Sequence, residues 1–117
     1  MIFGFGKKGG NDGGREHQRF QASTEKVRIY GEEFPLGDLS LGGMAVNDYK
    51  DDATKVNQYF EFVIEVQKDG QTEEYRGHAQ VARVGDDFMG CKFTKPQPEL
   101  EFSVSRYLEY METLAAQ

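Results

Sequence analysis

From Tyr59 to Val66 the chain reads Tyr-Phe-Glu-Phe-Val-Ile-Glu-Val, a strict alternation that sets Phe60, Phe62, Ile64 and Val66 on one face and Glu61 and Glu65 on the other. Period two over this length is the signature of a half-buried strand. Lys68-Asp69-Gly70-Gln71 follows, a hairpin turn built on Asp-Gly. The return strand spans about Glu73 to Val84, with Gly77, Ala79 and Val81 sharing a face. A second tight turn at Gly85-Asp86-Asp87 leads to a last strand, Phe88–Phe93. Consecutive hairpins of this kind point to a closed or nearly closed antiparallel barrel.

Upstream, Glu25-Lys26-Val27-Arg28-Ile29-Tyr30 alternates in the same way, and Gly31-Glu32-Glu33 reads as a turn. Phe34–Asp38 is the next strand, with Pro35 implying an edge or strand-end position, and Met44-Ala45-Val46 resumes the sheet. The polar run from Asn47 to Asn57 reads as an exposed loop. After the last strand, Pro96-Gln97-Pro98-Glu99 stops the sheet and starts a helix, proline being tolerated in a first helical turn. Leu100, Val104, Tyr107, Leu108, Met111 and Leu114 then form one apolar stripe that packs on the barrel. The expected architecture is mainly β: a six-stranded antiparallel β-barrel with a C-terminal α-helix.

At 117 residues the chain is one domain with a single modest core. Residues 1–14 carry six glycines and too little apolar surface to offset ordering, so they read as a flexible tail before a domain spanning 15–117. The tail contains a literal G-x-G-x-x-G from Gly4 to Gly9. A dinucleotide site needs a strand before that motif and a helix after it, and neither is present. One cysteine, Cys91, excludes an internal disulfide and a cysteine metal site, and reads as a packing residue in a cytoplasmic protein. The opening residues are too short an apolar run for a signal peptide or a membrane span. Residues 1–20 sum to +2 within a chain of net −6, which leaves −8 for residues 21–117. Such a body repels nucleic-acid polymers, which need many lysine and arginine contacts to phosphate. A small anion held locally by a few cations remains compatible.

Two segments suggest such a ligand. Arg15-Glu16-His17-Gln18-Arg19 carries two guanidinium forks, each able to grip phosphate or the O6/N7 edge of guanine in a bidentate way. Asp38-Leu39-Ser40-Leu41-Gly42-Gly43 offers a carboxylate that can accept from a guanine N1–H and N2–H₂ edge, a hydroxyl, and glycines that permit close backbone approach. In this order and spacing the pair resembles the PilZ family, whose signature is R-x-x-x-R followed by [DN]-x-S-x-x-G. Arg15 and Arg19 match the first motif, and Asp38, Ser40 and Gly43 the second. The resemblance runs from about Arg15 to the C-terminus.

It implies a PilZ-like barrel that binds the bacterial second messenger cyclic di-GMP. Arg15 and Arg19 would grip guanine and phosphate from a mobile arm, Asp38 and Ser40 would address a guanine from the barrel surface, and Gly42 and Gly43 would let the backbone come close. Many members carry a further basic residue before the first arginine, where this chain has Gly14, so one or two nucleotides per chain both stay open. No cofactor is implied, and no enzyme constellation surrounds Ser40. His17 and His78 have no metal-site spacing, and His78 reads as a surface histidine. With no room for an output domain, the signal would leave through an unidentified protein effector in motility, polysaccharide or biofilm control. The rival expectation is a PilZ-like interaction module that has lost nucleotide binding.

Overall fold

The computed structural model describes residues 25–50 and 53–116. Arg15, Arg19, His17 and the glycine-rich tail 1–14 lie outside the described residues. Six strands and one helix follow in chain order: β1 (Lys26–Ile29), β2 (Glu32–Leu39), β3 (Gly43–Asn47), β4 (Tyr59–Lys68), β5 (Gln71–Val84), β6 (Phe88–Phe93) and α1 (Pro98–Ala115). The strands close in the order β1-β2-β3-β6-β5-β4, every neighbouring pair antiparallel. The expected six-stranded barrel with a C-terminal helix is therefore the fold of this chain.

The interior follows the alternation. Phe60, Phe62, Ile64 and Val66 of β4 are buried, as are Val27 and Ile29 of β1, Met44 and Val46 of β3, and Met89, Cys91 and Phe93 of β6. The β4–β5 turn falls on Asp69-Gly70, both with positive φ, as a two-residue hairpin turn needs.

Four local expectations are corrected. The β1–β2 turn sits on Tyr30 (φ 53°) and Gly31 (φ 82°), so β2 begins at Glu32 rather than after Glu33. β5 likewise begins at Gln71 rather than Glu73. The Asn47–Asn57 loop is not wholly exposed: Tyr49 is buried, its ring 4.9 Å from that of Phe34 and its hydroxyl 2.8 Å from Thr54 Oγ1. Along α1, Leu100, Val104 and Tyr107 are buried and Leu108 and Met111 partly so, but Leu114 is 45% exposed. The helix docks as far as Tyr110, whose hydroxyl accepts from the Asp69 N–H at 3.0 Å in the β4–β5 turn. Beyond that turn the sheet ends and Leu114 has no strand beneath it.

Pro35 differs as well: it lies inside β2, opposite Lys26 of β1 in a closed barrel, and not at the edge or strand end expected of it. Leu36 N–H donates to Glu25 O at 3.0 Å on the β1 side, so the Pro35 nitrogen points toward β3, whose pairing with β2 starts only at Leu36–Val46. The missing N–H costs no ladder bond. Glu25 is the buried charged residue among the described ones, and the Tyr107 hydroxyl donates to its carboxylate, tying the entry of β1 to the helix.

Helix α1 starts on Pro98, with Glu99 and Glu101 in its first turn, where the helix dipole favours negative charge. The side chain of Gln97 does not cap the helix but turns back to β5. Its Oε1 accepts from His78 N–H at 2.8 Å and its Nε2 donates to His78 O at 2.9 Å, pairing like one residue of an added strand. Gly77 makes this docking fit: a Cβ there would stand 2.7 Å from Leu100 Cδ2 and 2.9 Å from Phe62 Cζ.

Candidate functional site

The Asp38–Gly43 segment is the connection between β2 and β3. Between Leu36 and Asp38 the register slips by one residue, and Asp38 pairs with Ala45 and Leu39 with Met44. Met44 is fully buried, so Leu39 leans toward the core, while Asp38 and Ser40, its alternates, project to the outer face side by side. The bulge thus sets the carboxylate and the hydroxyl on one surface.

Ser40 also shapes the turn. Its N–H donates to Gly43 O at 2.9 Å, and its Oγ accepts from Gly42 N–H at 3.3 Å and lies 3.4 Å from Gly43 O. Gly42 O in turn accepts from Phe93 N–H at 2.9 Å, which fastens the loop to β6. A serine hydroxyl has one proton and two lone pairs, so one lone pair is left, and the proton makes only a long contact that a better acceptor can replace.

Gly42 has no reason within the described fold to be glycine. Its φ is not in the left-handed region, and nothing described lies within 4 Å of where its Cβ would stand. Backbone strain and internal packing are thereby both removed as causes, which leaves open space above the loop.

The strand order adds neighbours that the sequence does not bring together. Gly43 pairs with Lys92 and Ala45 with Gly90, so β3 and β6 lie side by side. Met89 and Cys91 point inward and are buried, so Gly90 and Lys92 take the outer face with Gly43 and Ala45. The outcome is a strip of small residues, Gly43, Ala45 and Gly90, all three buried, with Asp38 and Ser40 along one side and the exposed Lys92 on the other. Among the described residues Lys92 forms no ion pair. Sequence reasoning missed Lys92, Ala45 and Gly90. The inward pattern of Met89 and Cys91 gave their facing, but only the β3–β6 pairing gave their place.

Of the six residues singled out as ligand-binding, Asp38, Ser40, Gly42 and Gly43 are gathered in this one hairpin, and Arg15 and Arg19 lie outside the described residues. His78 is a surface residue, its Nε2 3.5 Å from Glu61 Oε2. Cys91 is fully buried and burial pushes its thiol up to about 12, so it packs and does not act as a nucleophile. A separate groove of about 1130 Å³ lies between the outer faces of β1, β4 and β5 and the Pro96–Leu100 segment. Tyr30, Tyr59 and Arg76 line it, and none of the motif residues does. Among the described residues no helix is long and apolar enough to cross a membrane.

Comparison with family models and with curated proteins gave no match. Among solved structures, the chain is similar to the PilZ domain of CeSA from a cellulose-synthesizing bacterium, with 27% identity and a TM-score of 0.58 over 82% of this chain and 99% of that one. It is also similar to the inhibitor of motility MotI/DgrA of Bacillus subtilis, with a TM-score of 0.67 at 15% identity, over 88% of this chain and 53% of that one. The chain has a PilZ-like fold.

Proposed function

We propose that this protein is a cyclic di-GMP receptor that acts as an adaptor, with the β2–β3–β6 outer face as its nucleotide platform. The observation that carries the reading is the union of Asp38 and Ser40 on one surface beside the open space at Gly42. A guanine that approaches this surface can donate from its N1–H and N2–H₂ edge to the Asp38 carboxylate. Gly42 supports the same reading, since open space above it is what close backbone approach by a ligand requires.

In this account Arg15 and Arg19 supply the guanine and phosphate contacts from the preceding segment, each bidentate pair worth about 1–3 kcal/mol. Lys92 adds a cation at the far side of the small-residue strip, where it attracts the phosphodiester. Ser40 holds the loop and offers its remaining lone pair and proton to the ligand. The protein binds and releases the nucleotide without transforming it, and only the residues near Arg15–Phe20 order over the ligand, because two arginines cannot offset the ordering of the whole tail at about 1–2 kcal/mol per residue. The message passes to a protein effector, and the similar structures make polysaccharide synthesis and motility the processes to examine first.

Calorimetric titration with cyclic di-GMP tests the proposal. Wild-type protein is expected to bind, the Arg15→Ala/Arg19→Ala variant to lose binding and the Asp38→Ala variant to bind more weakly, both keeping the wild-type melting curve. A folded wild-type protein that takes up no nucleotide would reject the receptor reading in favour of an interaction module.

A further inference from the structure

β5 is longer than its neighbour on one side can pair. Of its fourteen residues, those from Gln71 to Gln80 pair with β4, and β6 pairs only from Ala79 onward. Val81 exchanges both backbone bonds with Asn57 and Gln58 on the β4 side, so by alternation Thr72, Glu74, Arg76 and His78 direct their N–H and C=O groups to the opposite side, where β6 has already ended. Gln97 occupies the groups of His78. Among the described residues nothing takes the backbone groups of Thr72, Glu74 and Arg76, and all three residues are exposed.

We propose that this open edge pairs with the same edge of a second copy, making a two-fold antiparallel β5–β5 junction. The backbone restricts the registers, because an edge-facing residue must meet an edge-facing residue. Glu74 opposite Glu74 sets like charges together. Arg76 opposite Arg76 does the same. The register centred on Tyr75 is the one that sets opposite charges together: it pairs Glu74 of each copy with Arg76 of the other, twice by symmetry, with two N–H···O bonds in each pair, and because Thr72 then falls opposite His78, whose groups Gln97 holds, these two pairs are the whole junction. Glu74 is pre-oriented for this role: its Oε2 accepts from Arg28 Nη2 at 2.9 Å and its Oε1 from Arg76 Nη2 at 3.2 Å. Arg76 has a side chain 72% exposed and free to exchange its carboxylate for the one across the junction. Charges on an edge strand ordinarily keep copies apart. Here their order along the strand makes the edge complementary to itself. With so few rungs the junction is a weak, concentration-dependent one.

Sedimentation velocity of the full chain over a concentration series tests it. The wild type is expected to shift from monomer toward dimer as concentration rises. Arg76→Pro removes an N–H that points only to the open edge and leaves the β4 ladder whole, so it is expected to abolish the shift without moving the melting temperature. Arg76→Glu sets two carboxylates against each other in each pair and is expected to weaken association at least about tenfold. Glu74→Arg/Arg76→Glu, which exchanges the charges, is expected to restore it, and it serves as the deciding variant if the proline substitution unfolds the strand. A wild type that stays monomeric at every concentration overturns the proposal, as does a dimer that Arg76→Glu leaves intact.

Discussion

The outer surface of this barrel carries two patches of opposite character. On β1, β4 and β5, charges are abundant and matched: Arg28 lies 3.0 Å from Glu65 and 2.9 Å from Glu74, Arg76 lies 3.2 Å from Glu74, and His78 faces Glu61. On β2, β3 and β6 the central residues of the outer side, Gly43, Ala45 and Gly90, are small and buried, and Asp38, Ser40 and Lys92 border them. A patch whose cations already hold carboxylates gains little from a new anion, since the existing pairs must first be broken. A patch with a cation outside any described ion pair has more to gain.

Substitutions in the two patches should therefore separate stability from binding, and the largest effect lies beneath them both. Ile64 is fully buried under the matched patch, and Ile64→Ala is expected to cost about 2–5 kcal/mol, read as a lower urea midpoint. Binding should fall with the folded fraction and in no other way. Asp38→Ala comes next: loss of a carboxylate contact to a guanine edge, worth about 1–3 kcal/mol, should weaken cyclic di-GMP binding roughly ten- to a hundredfold at unchanged melting temperature. Glu65→Ala in the matched patch should leave affinity alone. Lys92→Ala is expected to weaken binding only a few-fold, with a shallower dependence of affinity on salt, as removal of one phosphate contact predicts.

The smallest effect concerns pH. Hydrogen bonding from Arg28, with its charge, holds the Glu74 carboxyl below the ordinary carboxylate range. A carboxylate with a depressed folded value stabilises the fold above its unfolded value, and that contribution disappears as pH falls through the folded one. Glu74→Gln should make stability less steeply dependent on pH below the usual carboxylate range, as followed by thermal melts, and leave nucleotide affinity at neutral pH where it was.

The two patches also differed in how far the amino-acid order disclosed them. The hairpin from Tyr59 to Val84 was legible because its alternation is strict and its turn is an Asp-Gly pair whose φ values demand those residues. The β1–β2 turn was displaced because Tyr30, an aromatic residue, occupies a left-handed position that composition does not signal. Tyr49 was hidden for a different reason: it lies in a polar run, and only the fold brings Phe34 and Thr54 to it. Asp38, Ser40, Gly42 and Gly43 could be singled out because they are contiguous. Lys92 and Gly90 could not, since they reach the same surface through β3 pairing with β6, strands separated by the whole β4–β5 hairpin.

The central claim is that the patch bordered by Asp38, Ser40 and Lys92, and not the matched one, receives the nucleotide. Titration of the amide resonances of the full chain with cyclic di-GMP tests it most directly. The account predicts saturable shifts at Asp38–Gly43, Gly90 and Lys92, with Arg28, Glu65, Glu74 and Arg76 unmoved. Shifts confined to β1, β4 and β5, or none at saturating nucleotide, would contradict it.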